Sequence, residues 1–264
     1  MQPSEFLCEN RKTTCDAFLD GRLTVCQPAR GPRAAIDALF LAAAVPAVAG
    51  KAQRVLEAGA ATGVASLALC RRVGDVRATG VELQSTLVEL ARKNAALNAM
   101  EDRLRFIEAD VTLPWKQLEA EGLERESFEH VAANPPYYET GTVRERAHGG
   151  TATAYSFGSD QLEKWLRFLT TVLAPRGTVT LVNRADALAT LLNLLDGRFG
   201  ALTVFPLFPA EGSTASRVLV QGIKGSRAPL RVLRGLVLHT ANGDYTSEAN
   251  AVLRDAQALE LNGS

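Results

Sequence analysis

The chain has 264 residues, 47% of them hydrophobic, and its 29 basic and 29 acidic residues give a formal net charge of zero. This composition supports a sizeable core and excludes a disordered chain, which requires low hydrophobicity and high net charge. It also excludes binding to nucleic acid through bulk charge alone, although a local basic surface remains compatible with it. The longest apolar stretch, 38–45, is too short to span a membrane.

The N-terminal region gives no sign of export or of a metal site. Its first thirty residues mix charges of both signs without a continuous apolar segment, so we expect no signal peptide and a cytoplasmic protein. The four cysteines, Cys8, Cys15, Cys26 and Cys70, show no CxxC spacing. A zinc site built from the first three is conceivable, but reduced thiols are favoured and we expect no metal.

The elements predicted along the chain alternate between strand and helix. After a turn-rich N-terminus comes an apolar helix over 34–45, and the tail holds a strand at 236–240 and a helix from about 247. The helices between them are predicted at 64–73, 85–98, 160–174 and 186–195, and seven strands at 54–57, 76–82, 104–107, 128–133, 178–183, 202–207 and 217–223. Short connections in this order predict an α/β fold: a doubly wound, Rossmann-like, mostly parallel sheet with helices on both faces.

A glycine-rich turn follows the first predicted sheet strand, with the sequence Glu57-Ala-Gly59-Ala-Ala61-Thr62-Gly63. Such a turn lets the backbone pass close to a ligand, and the helix after it presents free N–H groups. Glu82 ends the next strand, where a carboxylate accepts hydrogen bonds from ribose hydroxyls. A nicotinamide or flavin domain would show the same pattern, and a plain strand-to-helix turn is the structural alternative.

Polar or turn-forming residues follow four successive predicted strands: Gly59, Glu82, Asp110 and Asn134. In an open parallel sheet, ligands bind outside the carboxyl ends of the strands. Any one of these residues could be explained by loop formation, but the four together predict a single ligand-binding crevice.

The sharpest motif is Asn134-Pro135-Pro136-Tyr137, directly after an apolar strand. The two prolines stiffen the backbone and remove two donors. The side-chain oxygen of Asn134 and the carbonyl of Pro135 can then both accept from one planar NH₂ group, and Tyr137 offers a ring for stacking a flat substrate. The alternative, a PPxY ligand for WW domains, is disfavoured because the strand leading into the motif would bury it.

The Asn-Pro-Pro-Tyr segment resembles the N-methylation motif of class I methyltransferases that depend on S-adenosylmethionine. Over roughly 19–254, the chain resembles the bacterial tRNA(Val) adenine-N6-methyltransferase family, whose target adenine adjoins the anticodon. The motif is shared with protein-glutamine and ribosomal RNA methyltransferases, so it is specific to the chemistry rather than to the substrate. The narrower resemblance depends on Gln27-Pro28, Ile36-Asp37-Ala-Leu, the segment from Glu57 to Gly63, Gly80-Val-Glu82, Arg217-Val-Leu and Gly243-Asp-Tyr-Thr.

The resemblance implies methyl transfer from S-adenosylmethionine to an exocyclic nitrogen, most directly N6 of a tRNA adenine. Methylation of protein glutamine or ribosomal guanine, and a non-catalytic binding module, are the alternatives. The implied catalytic residues are Asn134, Pro135, Pro136 and Tyr137. The implied cofactor-binding residues are Asp37, Glu57, Gly59, Ala61, Thr62, Gly63, Glu82, Leu83, Asp110, Val111 and Asn134. The implied substrate-binding residues are Tyr138, Arg144, His148 and Arg217.

Two features qualify this interpretation. Ala61 stands where the family usually has glycine, and its methyl group disfavours a positive φ and narrows the approach to the cofactor. Five basic and no acidic residues occur in 212–242, which predicts a general basic face for tRNA. The expected organisation is a lid-like extension over 1–50, the methyltransferase domain over 51–225, and an extension of the same domain over 226–264.

Overall fold

The computed structural model describes residues 13–30, 33–34, 36–136 and 159–261, apart from the side chain of Ser159. Within them a nine-stranded β-sheet forms the centre, two apolar cores lie against it, and a two-stranded hairpin precedes it in the chain. The predicted α/β architecture with a mostly parallel, Rossmann-like sheet is confirmed.

The strands and helices are numbered in chain order. The hairpin consists of β1 (Thr13–Phe18) and β2 (Leu23–Pro28). The sheet strands are β3 (Gln53–Ala58), β4 (Val76–Glu82), β5 (Leu104–Glu108), β6 (Phe128–Ala133), β7 (Leu173–Arg184), β8 (Phe199–Ala210), β9 (Arg217–Lys224), β10 (Arg231–Val232) and β11 (Leu236–His239). The helices are α1 (Ile36–Ala44), α2 (Val64–Arg72), α3 (Ser85–Leu97), α4 (Trp115–Ala120), α5 (Ser159–Val172), α6 (Leu188–Leu195) and α7 (Ser247–Leu253).

The sheet has the order β10-β8-β9-β7-β6-β3-β4-β5, and β11 also pairs with β8. Strands β3 to β7 pair in parallel, whereas β9 runs antiparallel to both β7 and β8. The start of β9 therefore lies at the same edge as the carboxyl ends of the parallel strands, with Arg217 opposite Arg184.

The predicted number of seven sheet strands is wrong, because β10 and β11 extend the sheet to nine. Strand β8 is twelve residues long, twice the predicted length, and its outer edge accommodates both additional strands one after the other. β10 lies beside Thr203–Val204, and β11 begins beside Leu207. The two residues of β10 are exposed and too few to show a periodic pattern.

The N-terminal hairpin and α4 were also not predicted from the sequence, and β7 starts earlier than predicted. The hairpin falls in the region interpreted as turn-rich, and α4 has only six residues, fewer than two helical turns. Strand β7 begins at Leu173 instead of 178, because Leu173 already pairs with Phe128 of β6, ahead of an irregularity in the register between Phe128 and His130. Pro175 and Gly177 lie in this irregular segment.

Two apolar cores lie on opposite faces of the sheet. One combines the buried sides of α1, α2, α3 and α7 with the hairpin, and the other lies under α4, α5 and α6. Helix α3 buries Leu87, Val88, Ala91 and Ala95, whose spacing of three to four residues places them on one side. In the described part of the chain, no helix is both long and apolar enough to cross a membrane.

Candidate active site

The cofactor loop, residues 59–63, connects β3 to α2 through three residues with positive φ. Gly59 and Gly63 have φ values of 70° and 85°, and Ala61 has 47°. A Cβ on Gly59 would lie 2.7 Å from Cη2 of Trp165, and one on Gly63 would lie 2.5 Å from Cζ of Phe106. Both glycines are therefore required by sterics as well as by conformation. Ala61 adopts the left-handed conformation that its methyl group disfavours.

Glu82 connects the end of β4 to this loop. The side chain is buried, and its Oε2 accepts from the N–H of Ala61 at 3.0 Å while its Oε1 accepts from the N–H of Gln84 at 2.9 Å. A carboxylate has about four acceptor positions, so each oxygen retains one. The arrangement thus fits the predicted role, in which two neighbouring ribose hydroxyls each donate to one oxygen.

Glu57 lies beneath the loop and contacts the first turn of α2. Its Oε2 accepts from both the N–H and the hydroxyl of Ser66, at 2.9 and 2.5 Å. Burial raises the pKa of Glu57 to about 7; the bonds from Ser66 lower it, and the nearby charge of Glu82 adds a small increase. This buried carboxyl group therefore titrates near neutral pH.

The end of β5 forms a turn with apolar neighbours. Oδ1 of Asp110 accepts from the N–H and the hydroxyl of Thr112 at 2.9 and 2.7 Å, which orients the carboxylate. Val111 is buried, whereas Leu83 and Leu113 are 44% and 41% exposed. These two exposed leucines follow the ends of neighbouring strands, and together with Asp110 they offer apolar surface and one acceptor to a purine ring. Leu113 was not singled out from the sequence.

The Asn-Pro-Pro segment leaves the sheet level with the cofactor loop. Ala133 of β6 pairs with Ala58 of β3, so Asn134 and Gly59 are the next residues on two adjacent parallel strands. Pro135 is buried, and Asn134 and Pro136 are half-buried. The sheet register therefore brings the motif and the glycine-rich loop, 71 residues apart in the chain, to the same point of one edge.

Asp37 and Arg217 form an ion pair, with Oδ2 and Nε 2.9 Å apart. Asp37 is buried at the start of α1, and Arg217 begins β9 at the site edge of the sheet. The family resemblance implied that Asp37 binds the cofactor and that Arg217 binds the substrate. Their contact gives Arg217 a charged partner within the protein, and both binding roles stay predictions.

The remaining predicted residues divide into those described and those outside the description. Tyr137, Tyr138, Arg144 and His148 lie outside the described residues, so their roles stay predictions. The described ones lie at or directly after the carboxyl ends of β3, β4, β5 and β6: Gly59, Ala61, Thr62, Gly63, Glu82, Leu83, Asp110, Val111 and Asn134.

Sequence reasoning missed Asn94 of α3 and Asn98, the residue that caps the C-terminus of this helix. Asn94 is fully buried; its Oδ1 accepts from the N–H of Cys26 at 2.7 Å, and its Nδ2 donates to the carbonyls of Cys26 and Thr62, both at 2.9 Å. Asn98 makes the equivalent pair of bonds to Thr24 at 3.0 and 2.8 Å. The sequence did offer a signal: two asparagines stand four residues apart in the helix predicted at 85–98. That helix was interpreted from its apolar residues alone.

The basic segment 212–242 is largely neutralised by carboxylates elsewhere in the chain. Arg217 pairs with Asp37, and Lys224 and Arg234 pair with Glu126 and Glu248 at 3.0 and 2.9 Å. The last two pairs include exposed partners and contribute little to stability. They nevertheless reduce the positive potential that the sequence alone suggested for this face.

Comparison with known proteins identifies the class. A family model described as a methyltransferase domain matches residues 55–177. The chain is 28% identical over 205 residues to the tRNA1(Val) (adenine(37)-N6)-methyltransferase of Shewanella amazonensis, covering 77% of this chain and 83% of that protein. It is 29% identical over 221 residues to the protein of the same name from Aeromonas hydrophila, covering 80% and 84%.

Among solved structures, the chain is similar to a predicted O-methyltransferase from Agrobacterium tumefaciens, with a TM-score of 0.71 and 30% identity over 85% of this chain and 98% of that one. With the fold and the loop geometry, this similarity is decisive. The chain belongs to the class I methyltransferases, and S-adenosylmethionine is its cofactor. Within that class it resembles the bacterial tRNA(Val) adenine-N6-methyltransferase family.

Proposed function

We propose that this methyltransferase acts on an exocyclic nitrogen, N6 of an adenine in tRNA next to the anticodon. The observation that carries the proposal is the position of Asn134. The residue leaves β6 level with Gly59 of the cofactor loop, so an acceptor for the substrate lies beside the loop that holds the cofactor. The names of the relatives from Shewanella and Aeromonas support the choice of adenine in tRNA.

The residues of the site suit the cofactor. Glu82 retains two acceptor positions for the ribose, Gly59 and Gly63 permit the positive φ values of the loop, and Asp110 with Leu83 suits an adenine ring. The cofactor supplies an electrophilic methyl group on a sulfonium. Every other requirement of the reaction falls on residues of the protein.

Asn134 and Pro135 act on the nucleophile. The exocyclic amine of adenine is conjugated with its ring and is a poor nucleophile, and positive charge grows on it as the new N–C bond forms. Two oxygen acceptors, the side chain of Asn134 and the carbonyl of Pro135, stabilise that charge and hold the two N–H bonds so that the lone pair faces the methyl group. No strong base is required, because the nitrogen loses its proton readily once it is charged.

The two acceptors also favour nitrogen over oxygen as the methyl acceptor. An NH₂ group carries two hydrogens and can satisfy both oxygens, whereas a hydroxyl carries one and would leave the second acceptor unpaired. The solved relative from Agrobacterium is named as a predicted O-methyltransferase, so a hydroxyl is one of the rival methyl acceptors. Protein glutamine and ribosomal guanine also present nitrogen and remain the rival substrates.

The deciding experiment offers all candidate substrates together. The purified protein is incubated with S-adenosylmethionine labelled in the methyl group and with tRNA, ribosomal RNA and protein fractions from a strain lacking the gene. We expect the label in N6-methyladenosine after nuclease digestion of tRNA, and a loss of labelling in a tRNA transcript whose anticodon-adjacent adenine is replaced by guanine. Label in methylguanosine, in glutamine or on a hydroxyl would contradict the proposal.

A further inference from the structure

Two cysteines face each other across the N-terminal hairpin. Cys15 of β1 and Cys26 of β2 are register partners, and their Sγ atoms are 2.8 Å apart. Both are reduced thiols in the structure. We propose that Cys15 and Cys26 are a modification site: they form a reversible disulfide that crosslinks the hairpin next to the cofactor loop.

The pairing geometry meets the requirement for a bond. The N–H and the carbonyl of Cys26 both bond to Asn94, on the side of β2 that faces away from β1. Cys15 and Cys26 are therefore a non-hydrogen-bonded pair, in which the two Cα atoms approach to about 4.5 Å. That separation lies within the range of roughly 4.4–6.8 Å that disulfides span, so bond formation needs no movement of the strands.

The surrounding contacts prevent the register from slipping. Asn94 of α3 and Asn98, which caps this helix, bond to Cys26 and Thr24 respectively, so the end of the helix takes the place of a third strand along the edge of β2. A shift of one residue would break all four of these bonds and would turn Cys26 to the opposite face. The thiols are thus held opposite each other by contacts that do not involve sulfur.

Exposure gives the two thiols different roles in the reaction. Cys15 is half-buried and reachable from solvent, whereas Cys26 is fully buried. With hydrogen peroxide as oxidant, the Cys15 sulfur attacks a peroxide oxygen, the O–O bond breaks, and a sulfenic acid and one water form. The Cys26 sulfur then attacks Sγ of Cys15; the S–S bond forms, the S–O bond breaks, and the hydroxide leaves as water with the Cys26 proton. Two thiols are oxidised and one hydrogen peroxide is reduced to two waters.

The crosslink would lie in a hairpin that Asn94 connects to the cofactor loop. The same Nδ2 of Asn94 that bonds to the carbonyl of Cys26 also bonds to the carbonyl of Thr62. In the oxidised protein the disulfide would hold the backbone of Cys26 in place during local unfolding of the hairpin. The hydrogen bond from Asn94 to Thr62 would then break less often than in the reduced protein. The expected physical result is a higher melting temperature for the oxidised protein, because the crosslink restricts the unfolded chain.

Trypsin digestion provides a direct test, because its cleavage sites separate all four cysteines. Cys15 falls on peptide 13–22, Cys26 on 23–30, Cys8 on 1–11 and Cys70 on 55–71. The full chain is treated with hydrogen peroxide, alkylated after unfolding and digested. We expect a linked pair of 13–22 and 23–30, two alkylated cysteines where the reduced chain has four, and reversal of both by dithiothreitol.

Matched variants make the outcome decisive. Cys8→Ser and Cys70→Ser should retain the link and the rise in melting temperature, and Cys26→Ser should lose both. A link from Cys8 or Cys70, a dimer joined through Cys15, or overoxidation of Cys15 without a link would overturn the proposal. The thermal measurement on Cys26→Ser without oxidant separates loss of the link from loss of folding.

Discussion

The side-chain amide of Asn94 donates a hydrogen bond of 2.9 Å to the carbonyl oxygen of Thr62, which joins α3 to the cofactor loop. The two other bonds of this amide hold the backbone of Cys26 in the hairpin. Asn94 is therefore a positioning residue that connects three segments distant in the sequence. We therefore expect Asn94 to influence cofactor binding through the loop rather than through contact with the ligand.

Asn94→Ala should weaken both folding and cofactor binding. Loss of three buried hydrogen bonds should lower the free energy of unfolding by about 2–4 kcal/mol and leave the Thr62 carbonyl free to move. In the folded variant, we expect calorimetry to give a larger dissociation constant for S-adenosylmethionine than in wild type. Asn98→Ala is the control: it loses the bonds to Thr24 but has none to the loop, so it should lose stability while keeping its cofactor affinity. Equal affinities in both variants would refute the positioning role.

Glu82→Ala should reduce cofactor affinity by about 1–3 kcal/mol, since charge-assisted hydrogen bonds to the ribose would be lost. The variant also loses the acceptor for the N–H of Ala61, which fixes the loop. Glu108→Ala is the matched control, because Glu108 is the register partner of Glu82 on β5 and is exposed. An unchanged dissociation constant in folded Glu82→Ala would mean that the ribose lies elsewhere.

Asn134→Ala should slow methyl transfer by about 10²-fold or more while largely preserving the fold and cofactor affinity. The acceptor acts on charge that is complete only as the methyl group moves, so its contribution is greater in the transition state than in the ground state. Single-turnover kinetics with labelled cofactor on tRNA transcripts measure the rate. Tyr137→Ala should instead raise the apparent substrate constant by an amount reflecting roughly 1–3 kcal/mol of stacking. A near wild-type rate for Asn134→Ala at saturating tRNA would remove the motif from catalysis.

Ala61→Gly should stabilise the protein by about 0.5–1 kcal/mol. The native φ of 47° costs an alanine about 1–2 kcal/mol, and glycine recovers this at a smaller loss of backbone entropy. Ala60→Gly next to it is the control: Ala60 is buried and is not among the described residues with positive φ, so that change should destabilise. Urea denaturation of the two variants compares them, and a less stable Ala61→Gly would show that the loop is not strained.

Glu57→Gln should alter how stability depends on pH. Burial holds the pKa of Glu57 at about 7, above its ordinary value of 4.5, so the folded state retains a proton that the unfolded state releases. This contribution to stability is complete below about 4.5 and is lost as pH rises through 7. Relative to wild type, Glu57→Gln should therefore gain about 2–3 kcal/mol between pH 5 and 8.

His130 opposes this trend in wild type. Burial lowers its pKa to about 4 from 6.5, so its contribution to stability is present above 6.5 and is lost as pH falls towards 4. Its ring is held between Gln53 and Thr178, at 2.7 and 2.6 Å. Chemical denaturation from pH 5 to 8 should thus show a shallow slope in wild type and a rising stability in Glu57→Gln. If the stability of wild type and of Glu57→Gln changed with pH in the same way, Glu57 would not titrate in this range.

The sheet and the strand-end residues were predictable because periodicity and turn chemistry are local. The strand leading to Glu57, and Glu82 at the end of the next one, follow from apolar runs that end in polar residues. The hairpin and its contacts with Asn94 and Asn98 were not predictable, because they join residues separated by 68 and 74 positions in the chain. Pairing of Asp37 with Arg217, 180 residues apart, was equally invisible to a local pattern.

The dependence of β2 on α3 also has a temporal consequence during synthesis. A two-stranded hairpin alone is at best marginally stable in water. Translation at roughly 5–20 residues per second needs about 4–15 s to add the 68 to 74 residues that separate Cys26 and Thr24 from their asparagine partners. The nascent hairpin therefore has an open edge for several seconds, and a ribosome-bound chain shorter than the end of α3 is the species most exposed to strand-mediated aggregation.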